Sequence, residues 1–356
     1  MKLIYLKLTV LFLLAVLPVA VFNYLIDPYG IFNNFSLNLW YEPGYEPNQH
    51  YAKMRRLIND KLSSDSYLFG SSRVGKINPD LIPEGKYYNM NYSEGLPGEH
   101  LDDIKVLLGN NIPVKNVAIG LDNFSYTMSP ADHIDQIMRH PYDASEFNRF
   151  FFQIKYLYSV PRIGIIKNIQ YKKSDSFINF NILGNGMHDL EAVDKMIESN
   201  IERHMQSDRF HKANNIQFDK ENEHKYVKLM DDTVNDIAEI IKLSKKYHFK
   251  VHFFINPTYK TYYLQGNPYH FLIFKKKLAQ ITDYWDFSGL NSITTNNYYW
   301  YETSHYRTIV GDLITCRMFN CPNIDVPEDF GVFATNKTFE SHMKKQKDEL
   351  DGLSNL

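Results

Sequence analysis

A serine among small residues, and a histidine with a carboxylate three positions ahead of it, are the side chains from which acyl-transfer chemistry is assembled. This 356-residue sequence carries both. In Phe69-Gly70-Ser71-Ser72-Arg73, small hydroxyl residues directly follow a short apolar run. A serine there, at the start of a helix, presents its N–H outward, where it stabilises negative charge. Glu302-Thr303-Ser304-His305 sets the carboxylate and the imidazole within one turn of each other if the segment opens a helix, near enough to orient the ring. Between the two motifs lie Asn91-Tyr92-Ser93-Glu94-Gly95 and Gly120-Leu121-Asp122-Asn123, where a backbone N–H at Gly95 and a polar side chain at Asp122 or Asn123 are candidates to hold an oxyanion. Each piece has an ordinary counterpart: a turn, a glutamate complementing a helix dipole, a half-buried histidine. Their order along the chain, nucleophile first and acid and base last, is what gives them meaning together.

These residues need elements to position them. Short apolar runs at 67–69, 87–92, 117–121, 251–255 and 284–287 read as strands. Helical spacing marks 51–62, 101–108, 226–248, 268–281 and about 304–319. Strands alternating with helices predict an α/β fold of three layers, a mostly parallel sheet flanked by helices. Ligands in such sheets bind at the carboxyl ends of the strands, where the candidate residues fall. Residues 129–223 break the rhythm. They are polar and aromatic, with one clear helix near 146–158 and no clear strand, and read as a helical insertion or cap. The 334–356 tail, with Lys344, Lys345 and Lys347 among acidic residues, reads as a solvated polar face.

From Leu8 to Ile26 the only strongly polar side chain is Asn23, and Lys2 and Lys7 precede the run. Its length just covers a ~30 Å hydrocarbon core, and the leading lysines keep the N-terminus cytoplasmic. Residues 1–27 therefore predict a signal-anchor transmembrane helix, with 28–333 forming an extracytoplasmic α/β domain. A cleaved signal peptide fits less well, because Val19-Ala20-Val21-Phe22-Asn23 lacks a small-residue cleavage pattern. A formal net charge of −2 argues against a sequence-independent grip on nucleic acid. Cys316 and Cys321 read either as two free thiols or as a bridge made possible by a helix break near Asn320. The histidine pairs His248/His252 and His133/His140 have no recognised ligand spacing, so neither a metal nor a cofactor is expected. The run Tyr298-Tyr299-Trp300-Tyr301, with Tyr259, Tyr262 and Tyr263, is either core or an aromatic rim for a glycan.

The ordered motifs resemble the SGNH (GDSL-like) hydrolase superfamily, and most closely its membrane-anchored extracytoplasmic members that accompany acylation of envelope polymers. The resemblance spans most of residues 20–333, including Asp27-Pro28-Tyr29-Gly30-Ile31-Phe32. It implies an SGNH/flavodoxin-like sheet, with Ser72 as nucleophile (Ser71 being the alternative), His305 as base and Glu302 as acid. Gly95 and Asn123 or Asp122 would complete the oxyanion site, and Arg73 would be an anion contact or a surface salt bridge. It further implies an esterase or O-acyltransferase working on acyl, most simply acetyl, esters of a cell-surface polysaccharide or teichoic acid-like polymer. The implied setting is the bacterial cytoplasmic membrane, beside a membrane-bound O-acyltransferase. Two departures stand out. Glu302 replaces the usual Asp, and the third block lacks a clean Gly-x-Asn-Asp. They leave open a catalytically inactive module that binds glycan or docks on an acyltransferase.

Overall fold

In the computed structural model, residues 2–32, 45–60, 62–133, 135–169, 179–211, 223–322 and 324–354 are described. The side chains at 2–3, 6–15, 168–169, 179, 223–225 and 354 lie outside that description. The chain runs α1 (Lys2–Ile26), α2 (Gln49–Asn59), β1 (Ser66–Phe69), β2 (Tyr87–Asn89), α3 (Pro97–Gly109), β3 (Asn116–Leu121) and α4 (Glu146–Leu157). It continues through β4 (Asn179–Phe180), β5 (His188–Asp189), α5 (Glu191–Glu198), α6 (Ile201–Met205), α7 (Glu223–Tyr247) and β6 (Lys250–Ile255). Last come α8 (Lys260–Gln265), α9 (Pro268–Ala279), β7 (Tyr284–Asp286), α10 (Thr308–Phe319), β8 (Val332–Ala334) and α11 (Phe339–Ser354).

Six strands form one mixed sheet in the order β2-β1-β3-β6-β7-β8, parallel except for β8. Side chains alternate across it, as strand geometry requires. Tyr67, Phe69, Val117, Ile119, Phe253 and Ile255 enter one core against α3, α7 and α9. Leu68, Ala118, Phe254 and Phe287 enter the other, which holds Val310 and Ile314 of α10. The fold is thus α/β, with helices on both faces. Register decides where chemistry can sit. Phe69 pairs with Ile119 and Ile119 with Phe253, so β1, β3 and β6 end close together and release residues 70–73, 122–123 and 256 at one edge.

Several expectations change. The strand foreseen at 87–92 is regular only to Asn89, although the N–H groups of Met90 and Tyr92 still donate to Leu68 O and Gly70 O, at 2.8 and 3.4 Å, before the chain turns at Ser93. The insertion holds a two-residue antiparallel pair, β4 with β5, too short to leave a hydrophobic period in sequence. The polar tail is no free surface: β8 adds to the sheet and α11 buries Gln346 and Leu350, with Gln346 Oε1 accepting from Lys275 Nζ at 2.8 Å. Cys316 and Cys321 are both free thiols. Among the described residues no helix is long and apolar enough to cross a membrane, and positions 8–15 of the anchor stretch have side chains outside the description.

Candidate active site

β1 delivers the serine. After Phe69 the chain must turn sharply beneath β3, and Gly70 permits it: its φ is +150°, and a Cβ there would lie 2.4 Å from Val74 Cγ2 and 3.0 Å from Gly120 O. The next two residues then face opposite ways. Ser71 is fully buried, its Oγ accepting the Arg73 N–H at 3.3 Å. Ser72 lines a cavity. That difference separates the two serines as candidates. No α-helix starts at Ser72, contrary to expectation, because only the single 3-10 turn Val74–Lys76 follows. The Ser72 N–H nevertheless meets no acceptor among the described residues.

Glu302 and His305 sit in a loop that precedes α10 rather than on its first turn. The loop is closed by an antiparallel bridge between Trp300 and Tyr306, with the Tyr301 N–H donating to His305 O at 2.9 Å. His305 Nε2 lies 2.8 Å from Ser72 Oγ, across 233 residues of sequence. On the ring's other side, Nδ1 is 2.5 Å from Glu302 Oε1. An ionised carboxylate only accepts, so Nδ1 carries the hydrogen and Nε2 is left to accept from the serine. Glu302 Oε2 takes the Ser304 N–H at 2.6 Å, so the loop absorbs the extra methylene of glutamate and fixes both carboxylate oxygens. Burial raises the Glu302 carboxyl, but the hydrogen bond and charge of His305 outweigh it and hold the group below its ordinary range. His305 is also held below the ordinary histidine value: burial lowers it first, Lys76 adds to that, and Glu302 restores only part.

The other candidates separate. Arg73 is 1% exposed, so it is not a surface ion pair. Its Nη1 donates to Asp122 Oδ1 at 2.7 Å and its Nε to Ser304 O at 2.8 Å. Asp122 is therefore spent on this buried pair and does not confront an oxyanion. Asn123, next along, lines the cavity; its Oδ1 is 3.5 Å from Arg73 Nη1 and its Nδ2 meets no described acceptor. Gly95 has a packing role instead of the expected donor role. Its N–H donates to Tyr92 O at 3.3 Å, and a Cβ there would lie 2.7 Å from Gly70 O. Ser93 and Glu94 occupy the cavity wall in its place.

The cavity over Ser72 is about 750 Å³, with Tyr226, Tyr262, Phe124, Met128 and His133 among its walls. Comparison with protein-family models and with curated proteins finds no match to this chain. The site's meaning thus rests on its own geometry. The expected aromatic rim divides: Tyr262 lines this cavity and Tyr301 a second one, whereas Trp300, Tyr259 and Tyr263 are core. Among the described residues no group of three or more His, Cys, Asp or Glu is placed to hold a metal.

Little in the sequence signals a buried prop under Ser72. Lys76 Nζ donates to Ser72 O at 3.0 Å and lies 3.0 Å from His188 Nδ1. His188 Nε2 is 2.9 Å from Asn91 Nδ2, and Asn91 Oδ1 accepts from Lys53 Nζ at 2.8 Å. Lys53 is fully buried, and desolvation pushes its ammonium well below the usual lysine value. The insertion, foreseen as a cap, therefore also reaches below the serine through His188. Only the four-residue spacing of Ser72 and Lys76 hinted at this; a lone histidine in an aperiodic segment carries no signal.

Proposed function

We propose that this protein is a serine esterase or O-acyltransferase, anchored in the cytoplasmic membrane by residues 8–26, that acts on acyl esters of a cell-surface glycan from the extracytoplasmic side. The observation that carries the reading is the unbroken chain Ser72 Oγ, His305, Glu302, at 2.8 and 2.5 Å, above a cavity at the strand ends. Such a relay belongs to nucleophilic acyl transfer. The SGNH-like order of the motifs and the apolar run at 8–26 support the family and the location. Glu302 reaches its histidine, which supports an intact triad over a decayed one.

In the proposed reaction Ser72 Oγ attacks the ester carbonyl while its proton passes to His305 Nε2. The Ser72 N–H and Asn123 Nδ2 receive the developing oxyanion; one such donor is typically worth about 3 kcal/mol. The carbonyl–alkoxy bond then breaks, and the leaving oxygen takes the proton from His305. A water or a sugar hydroxyl gives a proton to His305 as it attacks the acyl carbon, and release of the product returns that proton to Ser72. A membrane-bound O-acyltransferase is the partner expected to supply acyl groups.

A fluorophosphonate probe tests the nucleophile directly. The wild-type chain should label and Ser72→Ala should not, while Ser71→Ala should still label. Labelling that survives in Ser72→Ala removes Ser72 from this role. A wild-type protein that never labels favours the non-catalytic glycan-binding or docking module.

A further inference from the structure

The reacting serine stands between two cavities. A second chamber of about 370 Å³ shares Ser72, Ser93, Glu302 and His305 with the first. Its chemistry differs. One wall is the apolar face of α5, where Leu190, Val193, Met196 and Ile197 recur at helical three-four spacing, with Phe180 of β4 beside them. That face is shared between core and chamber: Leu190 and Ile197 are buried, Val193 half-buried and Met196 56% exposed.

Most polar groups on the remaining wall are already engaged. Lys76 is bonded to Ser72 O and His188. Tyr301 donates to Asp194 Oδ2 at 2.8 Å. Glu46 accepts from Gln49 and Ser93 at 2.6 Å each, and Arg209 Nε donates to Ser207 Oγ at 3.0 Å. The first cavity differs in that Asn123 Nδ2 opens to it with no acceptor among the described residues, and Arg73, Glu94 and Ser304 stand on its walls beside Phe124, Met128 and Tyr262. A hydroxyl-rich alcohol belongs where polar demand is unmet, and a hydrocarbon chain where it is met.

We infer that the second chamber is the acyl-chain subsite and that the preferred acyl group is a medium-length aliphatic chain rather than acetyl. The inference rests on the proposed serine acyl-transfer reading. The two carbons of an acetyl group would leave the α5 wall uncovered. Each methylene moved from water onto that wall gains about a fourfold preference.

The test uses the full-length protein in detergent with p-nitrophenyl acetate, butyrate, hexanoate and octanoate, alongside labelling rates for methyl- and octyl-fluorophosphonates. Hexanoate should exceed acetate in kcat/KM by one to two orders of magnitude, since four extra methylenes at about fourfold each set the upper bound. Val193→Trp or Met196→Trp, both at positions outside the buried core, should fill the chamber and bring the hexanoate-to-acetate and octyl-to-methyl ratios toward one. A wild type that labels at Ser72 but shows flat or acetate-favouring ratios overturns the subsite. So do tryptophan variants with unchanged ratios. A wild type that neither labels nor turns over any ester overturns the acyl-transfer reading itself, and the subsite with it.

Discussion

At the residue scale, the proposed base is tuned by opposing neighbours, and the tuning has a sign. His305 acts as base only when neutral, so activity should rise with pH through its pKa. Burial, then Lys76, hold that pKa below the ordinary histidine value of about 6.5. The acid limb of kcat/KM should accordingly lie below pH ~6.5. Glu302 is the group that raises it. Glu302→Gln should move the limb to still lower pH while lowering kcat by about 10³–10⁴-fold, the cost of losing the carboxylate that orients and charges the imidazole. A pH–rate profile of both proteins checks this. A limb that moves upward in the variant would contradict the electrostatic account of His305.

At the element scale, the strand ends are tied to one another by Arg73. Carried just past β1, it pairs with Asp122 just past β3 and grips Ser304 in the His305 loop. The ion pair is dry, with side chains at 1% and 0% exposure. Arg73→Met strands the Asp122 carboxylate and should destabilise the fold by about 3–5 kcal/mol in urea unfolding. Arg73→Met/Asp122→Leu should recover much of that stability, because an apolar pair of similar size replaces the ions. The double variant should nonetheless stay slow, since the Ser304 carbonyl, and with it the His305 loop, has lost its anchor. Equal instability in single and double variants would refute the pairing argument. The same elements explain what the sequence made legible. Apolar runs gave β1, β3 and β6, and parallel topology then forces residues 72 and 122–123 to one edge. Whether Asp122 or Asn123 faces the cavity was not legible, because adjacent residues after a strand differ only by a turn whose geometry depends on a distant arginine. Gly95 misled for a similar reason: a glycine needed for close approach to Gly70 reads the same as one needed for an exposed N–H.

At the scale of the whole molecule, the joint between the apolar N-terminal helix and the α/β domain includes a residue that its sequence context makes anomalous. Asn23 is the single strongly polar side chain between Leu8 and Ile26, and hydropathy alone gives no account of it. In the fold it is 1% exposed, and its Nδ2 donates to the carbonyls of Tyr156, Leu157 and Ser159 at 3.2, 3.0 and 3.0 Å, satisfying the last turn of α4. Asp27 continues the joint, accepting from the N–H groups of Ile31 and Phe32 and from the Tyr156 hydroxyl. Long-range pairings of this kind leave no periodic trace, which is also why the packing of α11 escaped notice behind a charged surface. Asn23→Leu separates the two properties of the helix. It makes the run more apolar, so the proposed membrane association should persist. It also removes a buried donor from these carbonyls, of which Tyr156 O keeps the N–H and the hydroxyl of Ser159, at 3.0 and 2.8 Å. Such a loss costs about 1–3 kcal/mol. Hydrogen exchange should therefore quicken in the last turn of α4, and protease should cut more readily after residue 27, with the protein still in the membrane fraction. Unchanged exchange around residues 154–159 would mean that the joint is held by packing between α1 and α4, and that Asn23 contributes nothing to it.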